Sequence, residues 1–198
     1  MPVPSSATHN ASRQILIALG LITVLLAASL VSKAPAAERE TIDARVSLAL
    51  AELRAAVPGV ADLIDRSRGV LMMPRVVKGG FILGAAYGEG SLLLPTGTER
   101  LQPVAYYSVA SASVGLQAGL QESSHALVFL TPEALAAFRA SDGWEAGVDA
   151  EVTILDGGAA VGSSTTEFNA PVVAFVFGAD GLLIGASLEG AKYSQITR

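Results

Sequence analysis

The sequence predicts an α+β fold: a mostly antiparallel sheet, as a sandwich or half-barrel, with N-terminal helices and one inserted helix. Three observations predict it. Apolar residues recur with a helical period from Thr41 to Val57. After Gly69 the period falls to two, the spacing of a half-buried strand. Inside that strand-rich part, Thr131-Pro132-Glu133 sets a hydroxyl cap, a first-turn proline and a first-turn acid, the opening of a helix.

The front helix rests on Ile42, Val46, Leu50, Leu53 and Val57, which form one stripe, and Pro58-Gly59 stops it. A short second helix spans about Val60 to Ser67, with Gly69 expected as its left-handed cap. Val70 to Met73 predicts a short strand. Phe81 to Tyr87 and Ser91 to Leu94 follow, interrupted by Gly88-Glu89-Gly90. Val104 to Leu120 predicts the longest ribbon, with Ser111, Ser113, Gln117 and Gln121 on its polar face and Gly115 and Gly119 as bends. Ala126 to Leu130 predicts a strand, then the inserted helix runs to before Asp142-Gly143. Ala146, Val148, Ala150, Val152 and Ile154 alternate with polar residues as a further strand. A polar loop covers 156–169. Val172 to Phe177 and Leu182 to Ser187 form a hairpin around Asp180-Gly181.

The chain of 198 residues is 51% hydrophobic and 16% charged, which excludes long disordered stretches. It has no cysteine, so disulfides, thiolate metal sites and cysteine nucleophiles are excluded. His9 and His125 are too few for a histidine-built metal centre, and no cofactor is expected. Residues 15–31 form a 17-residue apolar run without a charge, preceded by Arg13. Ala34 and Ala36 follow as a small-x-small cleavage pattern. The expectation is a signal peptide or N-terminal anchor over 1–36, a domain over 37–198, and a periplasmic or envelope location. Beyond Ala36 stand 11 Lys and Arg against 18 Asp and Glu, net −7, which speaks against nucleic acid as a partner.

Three segments carry a family resemblance. They are Gly69 to Gly90, with its Lys78-Gly79-Gly80 hairpin and Tyr87-Gly-Glu-Gly90 turn; Ser113-Val-Gly-Leu-Gln-Ala-Gly119; and Leu182 to Gly190, ending Ser187-Leu-Glu-Gly190. In this order they resemble the SYLF family, the Ysc84-like lipid-binding domain, over about residues 40 to 196. The resemblance implies binding of membrane lipid, in eukaryotic relatives phosphoinositide, and there also actin and its regulators. Actin is not expected as the partner of an exported protein.

Arg66, Arg68, Arg75 and Lys78 stand in a stretch, up to Gly88, that holds no acid. They are the expected contacts for anionic phospholipid headgroups or a membrane surface, at about 1 kcal/mol per basic side chain. The alternative is four solvated side chains around a turn. Arg45 and Arg54 flank the front helix, which either lies in a membrane interface or packs on the sheet. Gly80, Gly84, Gly88 and Gly90 share one strand face and allow close approach of another strand or of a ligand. His125 is expected at a surface or strand edge, with no partner for catalysis indicated. The functional expectation is a non-enzymatic lipid-binding envelope protein. A small outer-membrane β-barrel and an exported hydrolase using His125 are the alternatives.

Overall fold

The computed structural model describes residues 39–80, 83–97, 100–114, 119–155, 170–178, 181–183 and 186–198; the expected leader lies outside them. Ala37–Arg198 forms a compact unit by itself, with its cores built from its own residues. Helix α1 (Arg39–Ala56) buries Ile42, Val46 and Leu53 of the expected stripe together with Ala49, while Leu50 is half-buried and Val57 is buried just past the helix end. Helix α2 (Val60–Asp65) follows the left-handed Gly59. Its cap is Arg66 in ordinary helical geometry, not Gly69, which instead opens the first strand.

Among the described residues nine strands form one curled, half-barrel sheet: β1 Gly69–Gly80, β2 Leu83–Thr96, β3 Arg100–Val114, β4 Gly119–Phe129, β5 Trp144–Glu145, β6 Val152–Leu155, β7 Val172–Gly178, β8 Gly181–Leu182 and β9 Lys192–Ile196. The order is β5-β9-β3-β2-β1-β4-β7-β6, with β8 on β7. Strands β1 to β3 form a meander, and β4 returns beside β1, a Greek-key arrangement. Among the described strands, β6–β7 is the one parallel pairing. Helix α3 (Pro132–Ala140) begins as the sequence predicts, with Thr131 Oγ1 accepting from the Ala134 N–H at 3.2 Å.

Several expected boundaries move. The predicted ribbon from Val104 to Leu120 is two strands, β3 and β4, separated in the sheet by β2 and β1. Gly88-Glu89-Gly90 does not interrupt β2. A Cβ on Gly90 would stand 2.0 Å from the Met72 carbonyl oxygen, and one on Gly88 2.5 Å from that of Arg75. These glycines let β2 close on the β1 bulge, so for this pair the strand-packing reading holds. Of residues 146–154 only Val152 onward is strand, because the chain turns at 147–149 and bridges Ala146 to Ala150. The second arm of the last hairpin is β8 alone. Leu183 and residues 186–191 are irregular and connect β8, beside β7, to β9, beside β3. That connection crosses one face of the sheet as a strap, with its own Leu188 and Ala191 buried against that face.

Both faces of the central strands are covered, and so β4 from Ala126 to Phe129 and β7 from Val172 to Phe177 read as unbroken apolar runs. On the first face α1 and α2 pack on Val70, Met72, Val128 and Phe175. On the second face Phe138 of α3, Trp144 and Tyr193 pack on Leu71, Met73, Leu92, Tyr107 and Phe129. The sheet is open, with α1 packed on one side, so the closed outer-membrane barrel is not its architecture.

Candidate functional site

The bulge between Met73 and Val76 decides where the expected lipid contacts point. Pro74, which has no N–H to give the ladder, sits in it, and its carbonyl accepts from Ser124 Oγ at 2.8 Å. Beyond the bulge β1 continues to Gly80, so Arg75 and Lys78 lie on a strand rather than around a turn. Three residues apart on a strand, they point to opposite faces. Arg75 lines a groove on the first face with Arg45, Leu48, Glu52 and Glu122. Lys78 lines a cleft on the second.

Arg75 Nε pairs with Glu122 at 2.9 Å, both side chains being about half exposed (52% and 57%). Arg66 and Arg68 are exposed at the start of β1, about 23 Å of strand from Arg75. Arg66 Nε donates to the Asp62 carbonyl at 3.0 Å. The structure therefore brings Arg66 near Arg68, and Arg45 near Arg75, but does not gather the four expected cations into one patch. The acid-free window misled because Glu122 arrives from β4, a distant segment.

The packing alternative for α1 is what the structure shows. Its apolar stripe is buried on the sheet, with Arg45 and Arg54 exposed on either flank. Polar contacts hold the N-terminal end of the helix. Tyr106 OH donates to the Asp43 carboxylate at 3.0 Å, and the Arg39 guanidinium lies 5.2 Å from the Tyr106 ring centre. Arg39 also donates to the Arg198 carbonyl, and Arg198 pairs with Glu89 at 2.5 Å. Glu89 further accepts from Tyr87 OH at 2.6 Å. Burial, followed by this carboxylate, pushes the Tyr87 phenol up to about 12.

The cleft on the second face encloses about 780 Å³. Val76 and Lys78 of β1, Ala86 of β2, Ser111 of β3 and Gln121, Ser123 and His125 of β4 form its floor; Glu189 and Gly190 of the strap form its roof. Register explains the set: Lys78 pairs with Gln121 and with Ala86, and Ala86 pairs with Ser111. On β2 the neighbours of Ala86 on this face are Gly84, which adds no side chain, and Gly88, against which β1 closes.

His125 is buried, not at the surface as expected. Nε2 meets Ser123 Oγ at 3.3 Å and Nδ1 meets Tyr193 OH at 3.2 Å, so one ring nitrogen donates and the other accepts. Burial pushes the imidazole down to about 4 and the Tyr193 phenol well up. Both stay neutral at ordinary pH. An imidazole of such low proton affinity is a poor general base, and its other partner is a neutral phenol rather than a carboxylate. The contact with Ser123 thus anchors the floor of the cleft. Sequence reasoning missed Ser123 and Tyr193 as its partners, although the spacing Gln121, Ser123, His125 on a strand signals a shared face.

With this geometry in place, residues 110–197 match the family described as Ysc84, Las17-binding protein actin regulator. Over these residues the chain matches the Ysc84 (SYLF) family, the one that the three motifs resemble. No curated protein matches the chain at a significant level. The SYLF match takes in the second and third motifs and reaches from the last residues of β3 through β9; the Gly69 to Gly90 motif precedes it. Within the matched residues fall Ser111, Gln121, Ser123, His125 and the strap, while Lys78 lies on β1, ahead of them. SYLF is a family of binding domains, not of known enzymes.

Proposed function

We propose that the Ala37–Arg198 unit is a non-enzymatic lipid-binding protein of the bacterial envelope, and that cations at the start of β1 contact anionic headgroups or a membrane surface. The observation that carries this reading is the pair Arg66 and Arg68. Both are exposed, two residues apart at one end of the sheet, and among the described residues neither makes an ion pair. Each contributes about 1 kcal/mol near an anionic surface. Asp62 and Asp65 precede them on α2, so the attraction is weak and salt-sensitive, with a Debye length of about 8 Å at 0.15 M. Arg75 contributes less because Glu122 already holds it, and Lys78 less because it faces the cleft. Arg45 and Arg54 act only as flanking charges while α1 stays docked. The low proton affinity of His125 supports a binding role over hydrolysis.

The test is sedimentation of Ala37–Arg198 with phosphatidylcholine vesicles, with and without phosphatidylglycerol, across a salt series. The bound fraction should rise with the anionic lipid and fall with salt. R66E/R68E should lose most of it, and R75E or K78E little. Equal binding to both vesicles, or unchanged binding of R66E/R68E, overturns the reading.

A further inference from the structure

We infer that the cleft on the second face is a binding site for a small zwitterion carrying a phosphate-type anion and an ammonium group, the charge pair of a phosphoethanolamine headgroup. Its volume of about 780 Å³ falls within the range of ligand pockets, about 300–1,000 Å³. Two opposite charges line it on different elements: Lys78 on the β1 floor and Glu189 on the strap. Among the described residues neither makes an ion pair, with the other or with anything else.

An unpaired cation and an unpaired carboxylate in one cavity attract a molecule that carries both charges. A simple anion gains from Lys78 and is repelled by Glu189; a simple cation meets the reverse. The same cleft is lined by uncharged groups, Ser111, Gln121 and Ser123, able to donate to phosphate oxygens. Neutral His125 holds Ser123 from below and adds no charge of its own. Val109, Val176 and Leu183 give the same cleft an apolar wall, against which the glycerol and first methylenes of a lipid would lie. The site is separate from Arg66 and Arg68 and does not depend on them.

The experiment is titration of Ala37–Arg198, followed by amide shifts, with three probes. They are monomeric dihexanoyl-phosphatidylethanolamine, dihexanoyl-phosphatidylglycerol, which keeps the phosphate but lacks the ammonium, and free phosphoethanolamine. The ethanolamine lipid should bind at least tenfold more tightly than the glycerol lipid. Glu189→Gln should erase that preference, and Lys78→Gln should weaken both lipids about tenfold. Because Glu189 is exposed, its variant reads the site without a folding penalty. A tenfold advantage of the lipid over free phosphoethanolamine assigns the site to a lipid headgroup; equal affinity assigns it to the soluble zwitterion. Absence of saturable binding by either, equal affinity for the two lipids, or an unchanged preference in Glu189→Gln overturns the inference. R66E/R68E should leave all three affinities intact, which separates this result from the vesicle test.

Discussion

The second face of the sheet is one surface laid down by the same strands, yet its two halves end differently. Toward the start of β1 the inward positions are Leu71, Met73, Leu92, Tyr107 and Phe129, and α3 closes over them. Phe138 stacks 4.8 Å from both Tyr107 and Phe129, and Trp144 stands edge-on to it at 5.5 Å. Past the β1 bulge the inward positions become Lys78, Ala86, Ser111, Gln121 and Ser123, and among the described residues the strap is what passes above. Bulky apolar side chains recruit a lid because covering them removes apolar area from water. Small and polar ones gain little from cover and leave volume. The difference teaches that the cleft is built by side-chain size along the strands, with His125 at the border between the halves.

The largest expected effect breaks the filled half. Phe138→Ala should cost about 3–5 kcal/mol in denaturant unfolding. Ser111→Ala in the open half should change stability by no more than about 0.5 kcal/mol. Equal losses would erase the distinction.

Next comes the border. His125 titrates near 4 in the folded chain against about 6.5 unfolded, because burial disfavours the imidazolium. Between these values the unfolded chain binds more protons, so stability is full above about pH 6.5. It falls as pH drops toward 4, by about 3 kcal/mol at most. His125→Gln should flatten that part of the pH–stability curve. Since His125 is the only histidine of Ala37–Arg198, its ring resonances report the midpoint directly; a midpoint near 6.5 would contradict the burial.

A smaller loss, about 1–3 kcal/mol, is expected for Gly90→Ala, whose new methyl meets the Met72 carbonyl. Gly97→Ala, with nothing within 4 Å, is the control and should be nearly silent. The smallest effect belongs to the exposed Arg75–Glu122 pair, about 0.2–1 kcal/mol in a double-mutant cycle at low salt, fading as salt rises.

Much of this was legible in the chain. The α1 stripe, the Thr131 cap and the Asp180-Gly181 hairpin follow local rules, and the structure keeps them, though Asp180 itself lies outside the described residues. The glycine row of β2 was visible too, and its meaning splits. Gly88 and Gly90 admit the β1 bulge, while Gly84 flanks Ala86 on the cleft face. What stayed hidden depends on pairing between distant strands. Pro74 reads as a strand end, yet the bulge absorbs it and carries β1 on to Gly80. That extension sends Arg75 and Lys78 to opposite faces and dissolves the four-cation patch. Likewise His125 has no local sign of burial: Tyr193, its partner, lies 68 residues away and reaches it only because β9 joins the other side of the sheet.

The most direct measurement is an amide shift map of Ala37–Arg198 with dihexanoyl-phosphatidylethanolamine added below its micelle concentration. Shifts should gather at Lys78, Ser111, Gln121, Ser123 and Glu189 and spare Phe138 and Trp144. Shifts spread evenly over both halves, or confined to the α3 side, would contradict an open half kept for a ligand.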